Sequence, residues 1–331
     1  MKVFDTWERV LVCLILLVYL VFGFQIPGFV SPFAIADSTY NFTEKGLVAL
    51  AMTLLIIAGE IDLSVAATMA LCSLAMGLAM QAGAGLWPML LAAVVTGLLC
   101  GLLNGWLVTR WKLPSIVVTI GTLSLYRGLA QVTLGDQAIT GYPETLVNWG
   151  NGTVGDVLGW PDFIVPLEVL VLLVLALATG LVLHRTVHGR RIYAIGSNAV
   201  AARFSGIAVD QYRMALFVFA GLMAAVAAIL LTGRIGSTRP NLAMGWELDV
   251  ITMVILGGVS ISGGKGTLLG TMLAAVLTGV FTFALGMLNV SGIVMTMIMG
   301  VLLILSMVLP GWIQRWQQRA GKAAKANKAS A

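Results

Sequence analysis

The sequence predicts an all-α, polytopic integral membrane protein of about ten transmembrane helices, some short or broken, and three observations carry that expectation. Hydrophobic residues make up 59% of the 331 positions and charged residues 10%, against about 25% charged in an average soluble domain. Apolar runs approaching the roughly 20 residues that cross a bilayer recur from one end of the chain to the other, so lipid is the solvent for the whole chain and not for an anchor alone. The basic residues fall in alternate connections between those runs, as oriented membrane proteins arrange them. One transmembrane domain over 1–331 is expected.

Taken in order, the expected helices lie near 9–25, 46–58, 63–82, 88–108, 114–133, 163–183, 212–232, 247–262, 266–288 and 291–310. Two or three of them are too short to cross alone. The first follows Lys2, Asp5 and Glu8 and has no small-residue cleavage site after it, so it reads as a retained helix and not a signal peptide. The run 46–58 stops at Gly59-Glu60-Ile61-Asp62, and 247–262 begins at Glu247-Leu248-Asp249 and ends at Gly263-Gly264. Span 88–108 carries Gly97, Gly101 and Gly105, a small-xxx-small stripe that lets helix backbones approach closely in lipid. Internal helix packing is its favoured reading over a subunit interface.

Orientation follows from charge. With the N-terminus inside, Lys2, Arg9, Arg110, Lys112, Arg185, Arg190, Arg191, Arg203, Arg213, Lys265, Arg315, Arg319, Lys322, Lys325 and Lys328 are cytoplasmic, 15 of the 19 basic residues. Both termini are then cytoplasmic, with a coupling-sized loop at 184–212 and a basic tail at 311–331. The longest outer loop, 134–162, holds Asp136, Glu144, Asp156 and Asp162 and no Lys or Arg.

Several function classes are left without support. Cys13, Cys72 and Cys100 lie in apolar spans without metal-ligand or pairing spacing, so no disulfide is expected. His184 and His188 stand four apart but have no matching carboxylate or thiol, and a solvated loop is the better reading than a metal site. No His is positioned for a hydrolytic triad. Gly263-Gly264-Lys265-Gly266 superficially matches a phosphate loop, but Val259 stands where its first glycine belongs and Gly266 where its Ser or Thr belongs. A tight turn is expected there, and no cofactor, metal, nucleotide or nucleic acid is expected to bind.

The unusual residues are the carboxylates of Glu60, Asp62, Glu247 and Asp249. A carboxylate at membrane depth costs roughly 2.5–3.5 kcal/mol on insertion scales and tends to mark a partner or a pathway. These four suit a proton or sodium relay in an ion-coupled secondary transporter. The rival is a permease driven by a separate ATPase, which needs a cytoplasmic element to grip. In the loop 184–212, Ser197 or Asn198 can cap a helix, Ala199 to Phe204 is a strong helix former, and Gly206 can end it. As pattern alone this short helix is equally a docking knob and an ordinary interfacial helix. A non-transporting membrane scaffold is the third class.

That loop resembles a known family when read with Gly59-Glu60-Ile61-Asp62-Leu63-Ser64-Val65, Gly101-Leu102-Leu103-Asn104-Gly105, Pro114 to Leu123 with Tyr126-Arg127-Gly128, and Gly245-Trp246-Glu247-Leu248-Asp249 running on to Gly257-Gly258 and Gly263-Gly264-Lys265-Gly266. Together, over about residues 45–310, they resemble the ribose-type sugar ABC importer permeases, the family that includes rhamnose and autoinducer-2 permeases. The resemblance implies a bacterial inner-membrane subunit and no enzyme activity of its own. It implies two permease chains forming a pathway, as a homodimer or with a paralogue, two ATPase subunits on the cytoplasmic loops, and a periplasmic binding protein that delivers a monosaccharide. It assigns the ATPase-coupling role to Asn198, Ala201, Ala202, Arg203, Phe204, Ser205, Gly206 and Ile207. A pentose or deoxyhexose is expected as substrate, with rhamnose as the single choice.

A polyol pathway should offer small polar groups and aromatic faces, which adds Ser64, Asn104, Thr119, Thr122 and Trp246 to Glu60, Asp62, Arg127, Glu247 and Asp249 as pathway candidates. Each of the uncharged five also has a packing explanation. Many family members have Gly-Gly-Ile-Asp where this chain has Gly59-Glu60-Ile61-Asp62, and Val-Gly where it has Val65-Ala66. The extra charge of Glu60 is read either as an ion pair with Arg127 or as reaching cytoplasmic water at a helix end. Asp62 and Asp249 are read as capping a helix end or bonding between spans in preference to touching sugar.

Overall fold

The computed structural model describes residues 6–304 apart from 161 and 303. The expected tail 311–331 and the end of the span 291–310 lie outside the described residues. In chain order the elements are α1 (Thr6–Gln25), α2 (Pro32–Thr39), α3 (Thr43–Ile57), α4 (Val65–Gln81), α5 (Leu86–Arg110), α6 (Ser115–Leu134), β1 (Ile139–Thr140), α7 (Glu144–Asn151), α8 (Val154–Leu158), α9 (Leu167–Arg185), α10 (Val187–Ser197), α11 (Ala199–Phe204), α12 (Val209–Ile235), β2 (Ser237–Thr238), α13 (Trp246–Leu256) and α14 (Leu268–Met287), followed by a short helix, α15 (Gly292–Leu302).

The protein is an all-α polytopic membrane protein, but ten full-length spans are not what the helices provide. Six helices, α1, α5, α6, α9, α12 and α14, are long and apolar enough to cross a bilayer, and α2 with α3, bent by 45°, makes a seventh if counted as one span. The runs expected at 46–58, 63–82 and 247–262 are helices of 15, 17 and 11 residues. The physical reason is burial by protein. Every residue of α3 except Lys45 is buried, so this helix is apolar all round because other helices enclose it, which a hydropathy window cannot distinguish from immersion in lipid. Where α3 and α13 stop, Ala58, Glu60, Asp62, Gly257 and Val259 are buried, and non-helical backbone at membrane depth is tolerated where protein encloses it.

α3 and α13 run parallel as half-helices at the centre of the bundle. Their N-terminal turns meet at Lys45 and Asp249, and Thr53 of α3 bonds Thr271 of α14 at 3.0 Å. Both stop at glycine, α3 before Ala58-Gly59 and α13 before Gly257-Gly258, where Gly59 and Gly258 take φ of +82° and +89°, a region that favours glycine. Around them, α12 is the central long helix, packed on α3, α4 and α5. The glycine stripe of α5 makes that packing possible. A Cβ at Gly97 or Gly101 would collide with the carbonyl oxygens of Gly221 and Phe217 on α12, and one at Gly105 would meet Met214 Sδ. The stripe is therefore internal helix packing, as expected.

The two ends of the bundle differ in charge. At one, 58–64, 110–115, 185–213 and 257–267 gather, with Arg110, Lys112, Arg185, Arg190, Arg191, Arg203, Arg213 and Lys265; this is the basic end. At the other gather 26–45, 82–87, 135–168 and 234–249, where acidic residues outnumber basic ones; this is the acidic end. The stretch expected as the outer loop 134–162 is structured. It holds α7, α8 with a capping box between Thr153 and Asp156, and β1, which pairs antiparallel with β2 in the register Ile139 to Thr238 and Thr140 to Ser237. Beneath that pair runs a buried hydroxyl chain: Tyr142 OH to Thr238 Oγ1 (2.6 Å), Thr238 to Ser73 (2.5 Å), and Ser73 to Thr232 (2.7 Å).

Candidate functional site

At the basic end a rigid platform is assembled from short elements. Thr186 caps α10 by accepting from Gly189 N, and Asn198 Oδ1 caps α11 by accepting from Ala201 N at 2.9 Å, the local signal that the sequence carries. Gly206, at φ +82°, ends the turn after α11. Ala202 points inward and Ile207 packs on the core, whereas Val200 is 66% and Phe204 91% exposed. Arg203 Nη2 and Lys112 Nζ reach the two oxygens of Asp210, at 3.1 and 2.5 Å, tying α11 to the start of α12.

This platform touches the ends of the central half-helices. Gly264 N donates to Ile57 O at 2.8 Å, and Gly196 sits so close that a Cβ there would collide with Ile57 O and Gly264 N. Gly263, Gly264 and Gly266, all at positive φ, form the expected tight turn. Tyr193 OH donates to Gly266 O at 2.6 Å. Burial pushes the Tyr193 hydroxyl up to about 12, so it remains a donor across the physiological range. The segment from α10 to α11 is thus in direct contact with the break after α3 and the turn after α13.

Glu60 lies on the same side, and its partner is Arg213 of α12, not Arg127. The Glu60 Oε1 to Arg213 Nε distance is 2.8 Å, with the two side chains 8% and 23% exposed. The N–H is not aligned with the oxygen, so the contact is electrostatic and not a well-formed hydrogen bond. The expectation of a Glu60–Arg127 pair is incorrect because Arg127 belongs to the acidic end. There its Nη1 donates to Pro240 O (2.7 Å) and Leu242 O (2.8 Å).

Next to Glu60, Asp62 Oδ1 accepts from Ser64 N (2.8 Å) and Ser64 Oγ (2.6 Å), and Asn104 Nδ2 donates to Ser64 Oγ (2.8 Å) and reaches Asp62 Oδ2 (3.5 Å). Asp62 therefore holds the amide and hydroxyl of Ser64, the residue that precedes α4, and bonds across to α5. Ser115 Oγ accepts from Ile61 N at 3.3 Å and Thr119 Oγ1 reaches Ile61 O at 3.4 Å, which joins α6 to the group. Thr122, one turn on, bonds its own helix through Val118 O. Asp62, Ser64, Asn104, Thr119 and Thr122 are all buried, and Asn104 Oδ1 has no partner among the described residues.

The second acidic segment sits at the opposite end, so the two Glu-x-Asp segments are not equivalent. Glu60 and Asp62 follow a helix C-terminus, whereas Glu247 and Asp249 occupy the first turn of α13, where the helix dipole favours negative charge. Asp249 Oδ2 pairs with Lys45 Nζ at 2.5 Å, and Lys45 lies 5.0 Å from the ring centroid of Trp246. Glu247 Oε2 is buried without a hydrogen-bond partner among the described residues.

Sequence reasoning missed a third acidic group at this end. Glu44 and Glu168, both fully buried, stand in the first turns of α3 and α9. Arg234 reaches Glu44 Oε1 at 2.6 Å through Nη2, while both Glu168 oxygens lack a partner among the described residues. The intramembrane-acid rule that singled out Glu60 would have found them.

Three cavities lie at the acidic end. One, of about 560 Å³, is lined by Arg127, Gln131, Gln137, Arg239 and Asn241 among others. Two smaller ones, about 360 and 340 Å³, share Trp246 and Arg234. Of the predicted pathway residues, the structure brings Arg127 and Trp246 to these cavities, and Glu60, Asp62, Ser64, Asn104 and Thr119 to the buried basic-end network.

The class of protein is thus a helical, polytopic membrane protein with buried half-helices and a capped helix exposed beside their ends. Residues 34–307 match the family model described as the permease component of the branched-chain amino acid transport system, and the chain belongs to that family of importer permeases. It is similar to the autoinducer 2 import system permease protein LsrD of Photorhabdus laumondii, 32% identical with 95% of this chain and 96% of the relative covered. Similarity to LsrD of Yersinia pseudotuberculosis is 32%, covering 96% and 98%. To LsrD of Escherichia coli O9:H4 it is 35%, covering 93% of each. No solved structure matches the chain. The resemblance to sugar ABC permeases is thereby established, and the chain is a multi-pass membrane permease component, not itself an enzyme. ATPase and substrate-binding partners in general follow from that class.

Proposed function

We propose that this chain, as one permease domain over 1–331, is the membrane subunit of an inner-membrane ABC importer that moves a small polyhydroxylated substrate into the cell by ATPase-driven alternating access. The relatives' name supports autoinducer 2 and the sequence resemblance supports rhamnose; both belong to this substrate class. The basic end faces the cytoplasm, with both termini, and counting α3, α4, α13 and the helix from Gly292 as passes gives ten crossings. A second permease chain, identical or paralogous, completes the pathway, and a periplasmic binding protein delivers substrate to the acidic end.

The observation that carries the reading is α11. A six-residue helix held by the Asn198 cap and the Arg203–Asp210 pair, with Phe204 91% exposed at its end, is a rigid knob facing away from the bundle. Its neighbours Gly196 and Tyr193 touch the turn 263–266, and Gly264 holds the end of α3. A push from an ATPase at Asn198 to Ile207 is thus delivered to both half-helix breaks and to the Glu60–Arg213 and Asp62–Ser64–Asn104 groups beside them. A relay through Glu60, Asp62, Glu247 and Asp249 has less support, because the two segments lie at opposite ends and Glu60 and Asp249 each face a cation.

The test is capture of an ATPase by the detergent-solubilised chain, wild type against Arg203→Glu with Phe204→Ala. Capture by the wild type and loss in the variant is the expected result. Equal capture by both removes α11 as the coupling element, and no capture by either removes the ATP-driven reading.

A further inference from the structure

We propose that the chamber of about 560 Å³ at the acidic end is a pre-formed binding site for a neutral polyol, the first station of the substrate on this chain. Its lining and volume fit such a ligand. The volume lies within the roughly 300–1,000 Å³ of small-molecule sites. Arg127, Gln131, Gln137, Arg239 and Asn241 present guanidinium and amide groups, with Asp136 as the one carboxylate. Guanidinium forks and amides together donate to and accept from neighbouring hydroxyls, which is what vicinal diols require. Met244 and Pro240 supply apolar surface for carbon–hydrogen faces.

The chamber is built and not incidental. Its walls come from two segments distant in sequence, 135–138 and 239–244, and two devices lock them together. The first is the β1–β2 pair, the only sheet among the described residues, which joins Ile139 to Thr238 immediately beside the lining. That pair is anchored from below by the buried hydroxyls of Tyr142, Ser73 and Thr232. The second is Arg127, whose Nη1 holds the carbonyls of Pro240 and Leu242 and fixes its own guanidinium within the chamber wall. Ala243, at φ +54°, and Gly135, at φ +58°, place a positive-φ turn in each of the two segments. A two-residue sheet contributes little to the stability of so large a helical bundle, whereas it fixes this lining directly. The position at the end opposite α11 is where an importer receives its cargo, so the assignment of direction rests on the reading under Proposed function.

The test uses the full importer in cells, in a Cys13→Ser background that removes the exposed native thiol and leaves Cys72 and Cys100 buried. Asn241→Cys in the chamber and Val157→Cys outside it are labelled with a membrane-impermeant methanethiosulfonate, with rhamnose, ribose or autoinducer 2 present, while uptake of the same compounds is measured. The expected result is labelling at both positions, severalfold slowing at Asn241→Cys alone by the transported compound, and no slowing at Val157→Cys. Arg239→Gln should raise the half-protecting concentration about tenfold, the loss of one charge-assisted hydrogen bond. Uptake without protection overturns the chamber and leaves the importer reading intact. Protection without uptake of any probe upholds the chamber and counts against the importer reading. Failure of Asn241→Cys to label while Val157→Cys labels, or neither protection nor uptake, overturns the chamber.

Discussion

The ion pair between Glu60 and Arg213 ties the segment after α3 to α12, and its removal makes a quantitative prediction. At 2.8 Å the Coulomb attraction is about 6 kcal/mol for an effective dielectric near 20. Desolvation of the two ions offsets several kcal/mol of it. Arg213→Gln strands a carboxylate whose side chain is 8% exposed and should cost about 3 kcal/mol. Glu60→Gln strands a guanidinium on a long stem, 23% exposed, which can turn its head to water, so its cost should be smaller, about 1–2 kcal/mol. The double variant should cost less than the sum of the singles by about 2 kcal/mol. Unfolding in mixed micelles titrated with denaturing detergent reads all three. Additivity within about 0.5 kcal/mol, or coupling of Glu60→Gln to Arg127→Gln in place of Arg213→Gln, would refute the assignment.

Three further outcomes follow from the same geometry. Gly101→Leu should abolish folded yield in membranes, because its side chain must enter the Phe217 backbone on α12 at a cost well above the 1–3 kcal/mol or so of ordinary overpacking; Gly121→Leu, with nothing near its Cβ position, should express normally. Asn198→Ala should weaken ATPase capture by destabilising α11 by about 1 kcal/mol, whereas Asn198→Asp, which keeps the cap acceptor, should not. The Thr153 amide and hydroxyl hold the Asp156 carboxyl below the usual carboxylate range. A depressed folded value means that this cap stabilises the protein above the ordinary carboxylate range and loses that contribution as pH falls through the depressed value. Hydrogen exchange over 153–158 should therefore accelerate only at acid pH, and Asp156→Asn should remove that pH dependence.

The parts of this molecule legible in its sequence are those with a local cause. Helices α5, α6, α9, α12 and α14 lie where hydropathy puts them, the Asn198 cap and α11 follow from Ser197-Asn198-Ala199, and the glycine stripe reads directly as close packing. The half-helices were less legible, because α3 and α13 are apolar for a different reason than the spans around them. Pairing was legible only in part. The topology read from charge puts Arg213 at the cytoplasmic end with Glu60 and leaves Arg127 out of it, but that the two side chains meet follows only from how α12 packs beside residues 58–64. The β1–β2 pair was missed because two residues give no periodicity, and the chamber it closes was missed with it.

The central claim is that movement of substrate through this chain is driven by an ATPase acting at α11. Its most direct measurement is uptake of labelled autoinducer 2 and rhamnose into proteoliposomes holding the chain with its co-purifying partners, with ATP or an imposed ion gradient as the driving force, for wild type and for Arg203→Glu with Phe204→Ala. Uptake that needs ATP, survives collapse of ion gradients and disappears in the variant is the predicted result. Uptake that follows a proton or sodium gradient without ATP would contradict the account.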